Sequence, residues 1–538
     1  MRKTLPAGTM QPGDSLSNMN PNPDAALRHV VIVGGGSAGW LTAAVIAAEH
    51  QTSAADGLRI TLLEAPGIPP IGVGEGTWPS MRDTLRRIGL SETELVRRCD
   101  ACFKQGSRFN GWRDGSDADH YHHPFSLPVG HGDADLVGTW QARHAHQPFA
   151  DLVSHQPALC ARGLAPKQPG TPEYAAVANY GYHFDAGKFG VLLREHCLAK
   201  RGVQHVQDEF VAVQSHANGD IAALQTRDHG AIAGDLFIDC TGLRSLLLGE
   251  HFQVPFISQR HVLFNDRALA LQVPYPVEDS PIASQTVATA QRDGWIWDIG
   301  LPTRRGVGHV YSSAHCSDDA AEAALQRYVQ ASGGPRNLAA ARPLRFEPGY
   351  RARFWHRNCV AVGLAAGFIE PLEASALALA EMSAAFIAAQ LPATRSSMDA
   401  VADQFNEAFA YRWERVIDFL KLHYVLTQRN DSDYWRDHVR PASVPERLQA
   451  LLQLWQHRPP SRHDLPRIEE VFPSASYHYV LYGMGFKPQG GGSRRQAPFE
   501  GAEHAFREAA TLAARMAPAL PSHRGLIQHI QRHGLPRI

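Results

Sequence analysis

Gly34-Gly-Gly36-Ser37-Ala38-Gly39 has the spacing G-x-G-x-x-G directly behind a short apolar run, Val30 to Val33. The first glycine permits a tight turn. The second lets the backbone approach a pyrophosphate, and the third lets a helix pack on a strand. The helix that opens there offers free N–H groups and a positive dipole end to phosphates. Glu64 follows the next apolar run, Leu58 to Leu63, where a carboxylate can accept hydrogen bonds from ribose hydroxyls. These residues predict a dinucleotide site, with Gly34, Gly36, Ser37, Ala38, Gly39 and Glu64 as its contacts. Two other groupings invite a metal. Cys99-Asp-Ala-Cys102 is a lone CxxC with no second pair at zinc-ribbon spacing. His120, His122 and His123 lie close together, but the chain holds 28 histidines, so clusters arise by chance. No metal site is expected.

The elements that must position the dinucleotide site form a βαβ unit, starting near His29. It comprises the first apolar strand, an Ala-rich helix from about Ala38 to Ala48, and the strand Leu58 to Leu63. Residues 1–28 read as a disordered leader, and residues 114–148, crowded with His, Asp and Gly, as a loop-rich insertion. Strand-like runs cover Phe210 to Leu224, Asp235 to Cys240, and parts of Leu263 to Tyr311. A long Ala- and Leu-rich helix is expected within Phe368 to Leu391, and helices with Phe405, Phe409, Trp413 and Phe419 at helical spacing from Met398 to Trp455. Gly490 to Ser493 is a breaker, followed by a last helix, Ala502 to Met516.

The sequence thus divides into the leader, an α/β domain at 29–395 with a discontinuous βαβ core and inserted strands and loops, and a mostly helical region at 396–538. Of 538 residues, 44% are hydrophobic and the formal net charge is -1, so bulk charge points to neither a nucleic acid nor a membrane partner. The seven cysteines are scattered and odd in number, which fits reduced thiols and a cytoplasmic protein. No secretory signal or membrane-spanning run is read.

Two later segments choose between dinucleotides. Phe237-Ile-Asp239-Cys-Thr-Gly242 and Cys359-Val-Ala-Val-Gly363, the latter followed by Gly367, resemble the segments with which glutathione-reductase-like flavoproteins return to FAD. The resemblance implies a Rossmann-type FAD domain, with Gly242, Gly363 and Gly367 at the cofactor. No second complete G-x-G-x-x-G serves a nicotinamide cofactor. Reduced FAD is therefore expected from a separate NAD(P)H flavin reductase.

Further motifs narrow the family. Trp295-Ile-Trp297-Asp-Ile299 resembles the W-x-W-x-I-P of flavin-dependent tryptophan halogenases, although Trp and Ile alternating on a strand pack well in any core. Ile71 to Pro79 is similar to their G-V-G-E-A-T stretch, with Gly74 along the flavin. Ala101 to Lys104 is similar to their lysine-bearing segment, and Tyr182 to Asp185 to their H-F-D stretch. His120 to Phe125 resembles H-F-Y-H-S-F, Pro371 to Ser375 resembles P-L-E-S-T, and Tyr482 to Gly485 also fits. Only the leader and the extreme C-terminus fall outside. Departures are Gly300 for a proline, Gly76 for an alanine, Ala374 and Ala376 around the halide, and a loose match from Phe472 to Tyr477.

The resemblance implies that reduced FAD, O2 and chloride or bromide yield hypohalous acid, which reaches an electron-rich aromatic small molecule, typically an indole. It assigns Lys104 to holding the hypohalous acid and Glu373, Lys104's expected partner, to the ring intermediate. Backbone amides of Ser375 and Ala376 would hold halide. His123, Phe125 and Phe472 would flank the substrate, and Trp295 and Trp297 would line the passage. Free tryptophan, indole and larger indole-bearing molecules all remain open as substrate, as does a homodimer. The alternatives are a flavin monooxygenase or oxidase of the same fold that does not halogenate, and a flavin-binding protein without catalysis.

Overall fold

The computed structural model describes residues 22–52, 57–68, 74–337, 339–488 and 499–537. Most of the expected leader, Ile71 to Val73 and the breaker at 490–493 lie outside them.

A six-stranded sheet carries the nucleotide motif. Its order is Trp355–His356, Cys359–Ala361, Leu236–Asp239, His29–Val33, Arg59–Glu64, Gln204–Gln207. All but the first run parallel, so the five carboxyl ends at Val33, Glu64, Gln207, Asp239 and Ala361 open on one edge. In such sheets ligands bind outside the carboxyl ends. The central strand is buried along its whole length, as its unbroken β-branched run requires. Helix Ser37–Glu49 follows the glycine turn. Its buried Ala-rich surface is packed between helices Ser375–Ala389 and Ala186–Lys200.

A second sheet has seven strands, in the order Arg342–Arg345, Arg267–Pro274, Arg304–Tyr311, Gly294–Gly300, Thr286–Gln291, Gly106–Asn110, His120–Pro124. The last strand lies within the stretch read as a loop-rich insertion. It has no β-branched residue, and its strand character comes from burial against helix Ser474–Gly483 and pairing with Gly106–Asn110.

A small antiparallel sheet joins Glu75–Gly76, Gly181–Phe184 and Cys102–Lys104, three segments distant in sequence.

The helical region starts with Arg395–Val425. Thr394 caps it by accepting from the Ser397 amide, and its apolar face stacks Phe405 on Phe409 at 4.2 Å. Helices Asp433–His438, Glu446–Trp455, Ser474–Gly483, Phe499–Met516 and His523–His533 follow. The last packs on helix Glu92–Arg98 and on strand Cys102–Lys104. The helix expected within Phe368 to Leu391 begins at Ser375. Gly367 and Phe368 pair instead with Tyr350 and Gly349, and Ala374 turns the chain at φ 55°. Among the described residues no helix is long and apolar enough to cross a membrane.

Candidate active site

The glycines of the first turn do two different things. A β-carbon on Gly34, at φ +115°, would stand 2.2 Å from the Cys240 carbonyl oxygen, and one on Gly39 would stand 1.9 Å from the Gly34 oxygen. Those two positions hold backbone against backbone. A β-carbon on Gly36 or Gly242 would meet no protein atom within 4 Å. Both face open space at the carboxyl edge of the parallel sheet, where a dinucleotide pyrophosphate fits. Asp239 organises the neighbouring turn: it accepts from the Thr241, Leu247 and Leu248 amides. Gly363 lies against Ala38, and Gly367 is packed on Gly349 by strand pairing. Gly74 is close to Leu301 and Ile299. Glu64, at the end of its strand, accepts from His205 Nε2 at 2.9 Å, and Ser37 Oγ donates to the Ala186 carbonyl. The residues present therefore fit FAD along this edge.

Lys104 ends its strand and is 1% exposed. Burial pushes its ammonium down to about 8, against the opposing pull of Glu373. Its Nζ stands 5.3 Å from the centre of the half-buried Phe125 ring. A β-carbon on Gly76 would lie 3.3 Å from Lys104 Nζ and 3.4 Å from the Ala374 β-carbon. The ammonium thus adjoins the turn that opens helix Ser375–Ala389. That helix has neither a side-chain cap nor an acidic residue in its first turn, so the Ser375 and Ala376 amides have no intrahelical acceptor.

Glu373 precedes this turn and is 3% exposed. Its partner differs from the one expected: among the described residues it forms no ion pair with Lys104. His123 Nδ1 lies 2.9 Å from Glu373 Oε1, and His423 Nε2 lies 3.3 Å from the same oxygen, off the line of a full hydrogen bond. Burial by itself raises a carboxyl, but the two histidines hold Glu373 well below the usual carboxylate range. Trp78 Nε1 donates to the Glu373 carbonyl at 2.7 Å.

His123 has both ring nitrogens engaged, since Nε2 lies 2.9 Å from Ser476 Oγ. Phe472 is sandwiched between Trp78 and Phe419, with centroids at 5.0 and 3.8 Å. Trp295 is fully buried and donates from Nε1 to Glu370 Oε2 at 2.6 Å, an oxygen that also accepts from Tyr424 and Asn265. It therefore anchors the segment that carries Glu373. Trp297 lies over Gly308 of the next strand.

Several of these residues escaped the sequence reading. His423 sits in a helix with ordinary helical periodicity, and Glu370 lies only three residues before Glu373. His523, fully buried near the C-terminus, accepts from the Phe103 amide at 2.9 Å and so steadies the lysine strand. The histidines carried no spacing signal. Cys99 and Cys102 are both buried free thiols, and among the described residues no three His, Cys, Asp or Glu side chains come together to hold a metal.

Comparison with known proteins agrees with this geometry. Residues 29–497 match the tryptophan halogenase family model. The 7-chloro-L-tryptophan 6-halogenase KtzR of Kutzneria sp. (strain 744) is 33% identical, covering 92% of this chain and 98% of its own. A tryptophan halogenase structure from Shewanella frigidimarina superposes with a TM-score of 0.91 at 48% identity, covering 96% of this chain and all of its own (100%). A flavin-dependent halogenase from Xanthomonas campestris superposes at 0.83 with 32% identity, covering 96% and 99%. With an FAD edge, a buried lysine and a buried glutamate within that match, the chain belongs to the tryptophan halogenase family of flavin-dependent enzymes.

Proposed function

We propose that this enzyme halogenates an electron-rich aromatic of indole type, using chloride or bromide, O2 and FAD reduced by a separate flavin reductase. When bound, reduced FAD supplies the electrons and oxygen chemistry that convert halide to hypohalous acid. The observation that carries the reading is the position of Lys104, buried beside Phe125 and beside the turn with the free Ser375 and Ala376 amides. Those amides are donors with no acceptor of their own, suited to halide. Lys104 has donors and no acceptor, so its Nζ can hold and aim hypohalous acid at a neighbouring ring. Phe125 supplies an apolar wall for that ring.

Glu373 Oε2 has no hydrogen-bond partner among the described residues, because both histidine contacts fall on Oε1. An ionised carboxylate there stabilises the cationic ring and accepts the proton from the substituted carbon. His123 acts through Glu373, and Trp295 holds the Glu373 segment through Glu370. KtzR acts, by its name, on 7-chloro-L-tryptophan, which makes tryptophan and its derivatives the first substrates to test.

The test is turnover with FAD, NADH, a flavin reductase and halide over a panel of indoles, comparing parent and Lys104→Ala. Halogenated product from the parent, absent from a variant that still binds FAD, is the expected result. Full halogenation by Lys104→Ala would remove Lys104 from its role.

A further inference from the structure

Glu373 is gripped on one oxygen only. His123 on strand His120–Pro124 and His423 on helix Arg395–Val425 both face Oε1, at 2.9 and 3.3 Å. Lys104 on strand Cys102–Lys104 is the other charged group coupled to it. Tyr121, on the same strand as His123, completes the set of titratable neighbours.

The His423 ring is fixed in turn. Tyr121 Oη lies 2.6 Å from His423 Nδ1, and the ring is packed against Phe109 at 4.7 Å and Phe419 at 5.4 Å. Burial pushes the Tyr121 phenol well up, so it stays protonated and donates to Nδ1. The other nitrogen, Nε2, then carries the histidine proton, and Nε2 is the atom that faces Glu373. His123 is set in a complementary way: Ser476 can donate to its Nε2, leaving Nδ1–H for the same carboxylate oxygen. The His123 N–H on Oε1, with His423 Nε2–H standing 3.3 Å from the same oxygen, favours the charged carboxylate and leaves Oε2 unengaged.

Resting on the reading of Glu373 as the proton acceptor, we propose that His423 is a positioning residue. Its tautomer is set by Tyr121, and it keeps the Glu373 carboxylate ionised with Oε2 free for the substrate.

The experiment compares full-length, FAD-loaded parent with His423→Phe, His423→Gln and Tyr121→Phe. Two readouts are followed against pH: kcat for halogenation, and the carboxyl signal of Glu373 in 13C-glutamate-labelled protein, assigned with Glu373→Gln. Phe keeps the ring packing and removes the donor. It should raise the acid limb of kcat by at least about one pH unit, roughly a tenfold loss at the acid end that shrinks as pH rises. The Glu373 signal should titrate at correspondingly higher pH. Gln restores a donor at the Nε2 position and should bring both limbs back towards the parent. Tyr121→Phe should shift both in the same direction as His423→Phe, by less.

An equal loss at every pH with an unmoved Glu373 titration would make His423 merely structural and overturn the proposal. An unmoved kcat profile together with an unmoved titration would do the same. Tyr121→Phe keeps its stack on Phe109, at 4.7 Å and 7°, and so carries the test if His423→Phe does not fold. The carboxyl titration needs no turnover. A shift in it with no halogenation by the parent would uphold the His423 inference while overturning the proposed reaction.

Discussion

Lys104 and Glu373 are both buried and the charge of Glu373 acts on Lys104, yet their side chains form no ion pair among the described residues. Glu373 is bonded to His123 instead, with His423 beside the same oxygen, and Lys104 faces Phe125 and the Gly76 backbone. A direct pair would occupy the donors and acceptors that, in the proposed reaction, the two groups offer to halogenating agent and substrate. Keeping them apart costs desolvation of the ammonium, and that cost is visible in its lowered pKa.

That cost predicts a stability effect. The folded pKa of Lys104, about 8, lies below its ordinary value of 10.5, so the folded state is penalised wherever the amine is charged. The penalty is absent above about 10.5, grows as pH falls towards 8, and is complete below that. Lys104→Met, of similar length, should therefore be more stable than the parent at pH 6 to 7, by up to on the order of 3 kcal/mol. Denaturant unfolding at several pH values checks this, and the gap should close as pH approaches 10.

The two kinds of glycine in the first turn should respond differently. Gly36→Val adds atoms to open space beside the expected pyrophosphate. The apo protein should unfold within about 0.5 kcal/mol of the parent while FAD affinity falls at least about tenfold. Gly34→Ala forces a β-carbon against the Cys240 carbonyl at φ +115° and should destabilise the apo fold itself. Flavin fluorescence titration and chemical unfolding separate the two outcomes.

The opening strand, turn and helix were legible because a parallel strand, a glycine turn and an apolar helix each leave a local pattern, and all three fall within residues 29–49. Lys104 and Glu373 were found by family resemblance rather than by spacing. What stayed hidden was who touches whom. His123 and Glu373 are 250 residues apart, and His423 lies in a helix whose pattern records only its apolar face. The strand His120–Pro124 was hidden for a related reason. Its three histidines and proline have weak strand propensity, and burial under helix Ser474–Gly483 with pairing to Gly106–Asn110 makes it an edge of the sheet. Trp295 and Trp297 read correctly as a strand, while the Trp295 bond to Glu370 could not be seen from alternation.

His523 gives a prediction beyond residues 29–497, the part matched by the family model. His523→Leu leaves the buried Phe103 amide without its acceptor. Stability should fall by about 1–3 kcal/mol. The strand that ends in Lys104 should loosen, lowering kcat for halogenation with little change in FAD affinity. Unfolding curves and steady-state kinetics on the same preparation check both parts.

Gly76→Ala restores the residue type of the family motif. Its β-carbon meets the end of the Lys104 side chain at 3.3 Å, and a flexible side chain can yield by a few tenths of an ångström. The variant should fold, gain about 0.4–1 kcal/mol through the unfolded chain, and retain FAD. The contact should show itself in a changed pH dependence of halogenation, because the added methyl further desolvates the ammonium and shifts its pKa downward.

The most direct measurement is mass-spectrometric turnover of tryptophan and indoles with FAD, NADH, a flavin reductase, O2 and bromide or chloride, run side by side on parent and Lys104→Ala. The expected result is a product with the halogen isotope pattern from the parent alone, with FAD bound equally by both proteins. An oxygenated, halogen-free product from the parent, or undiminished halogenation by Lys104→Ala, would contradict it.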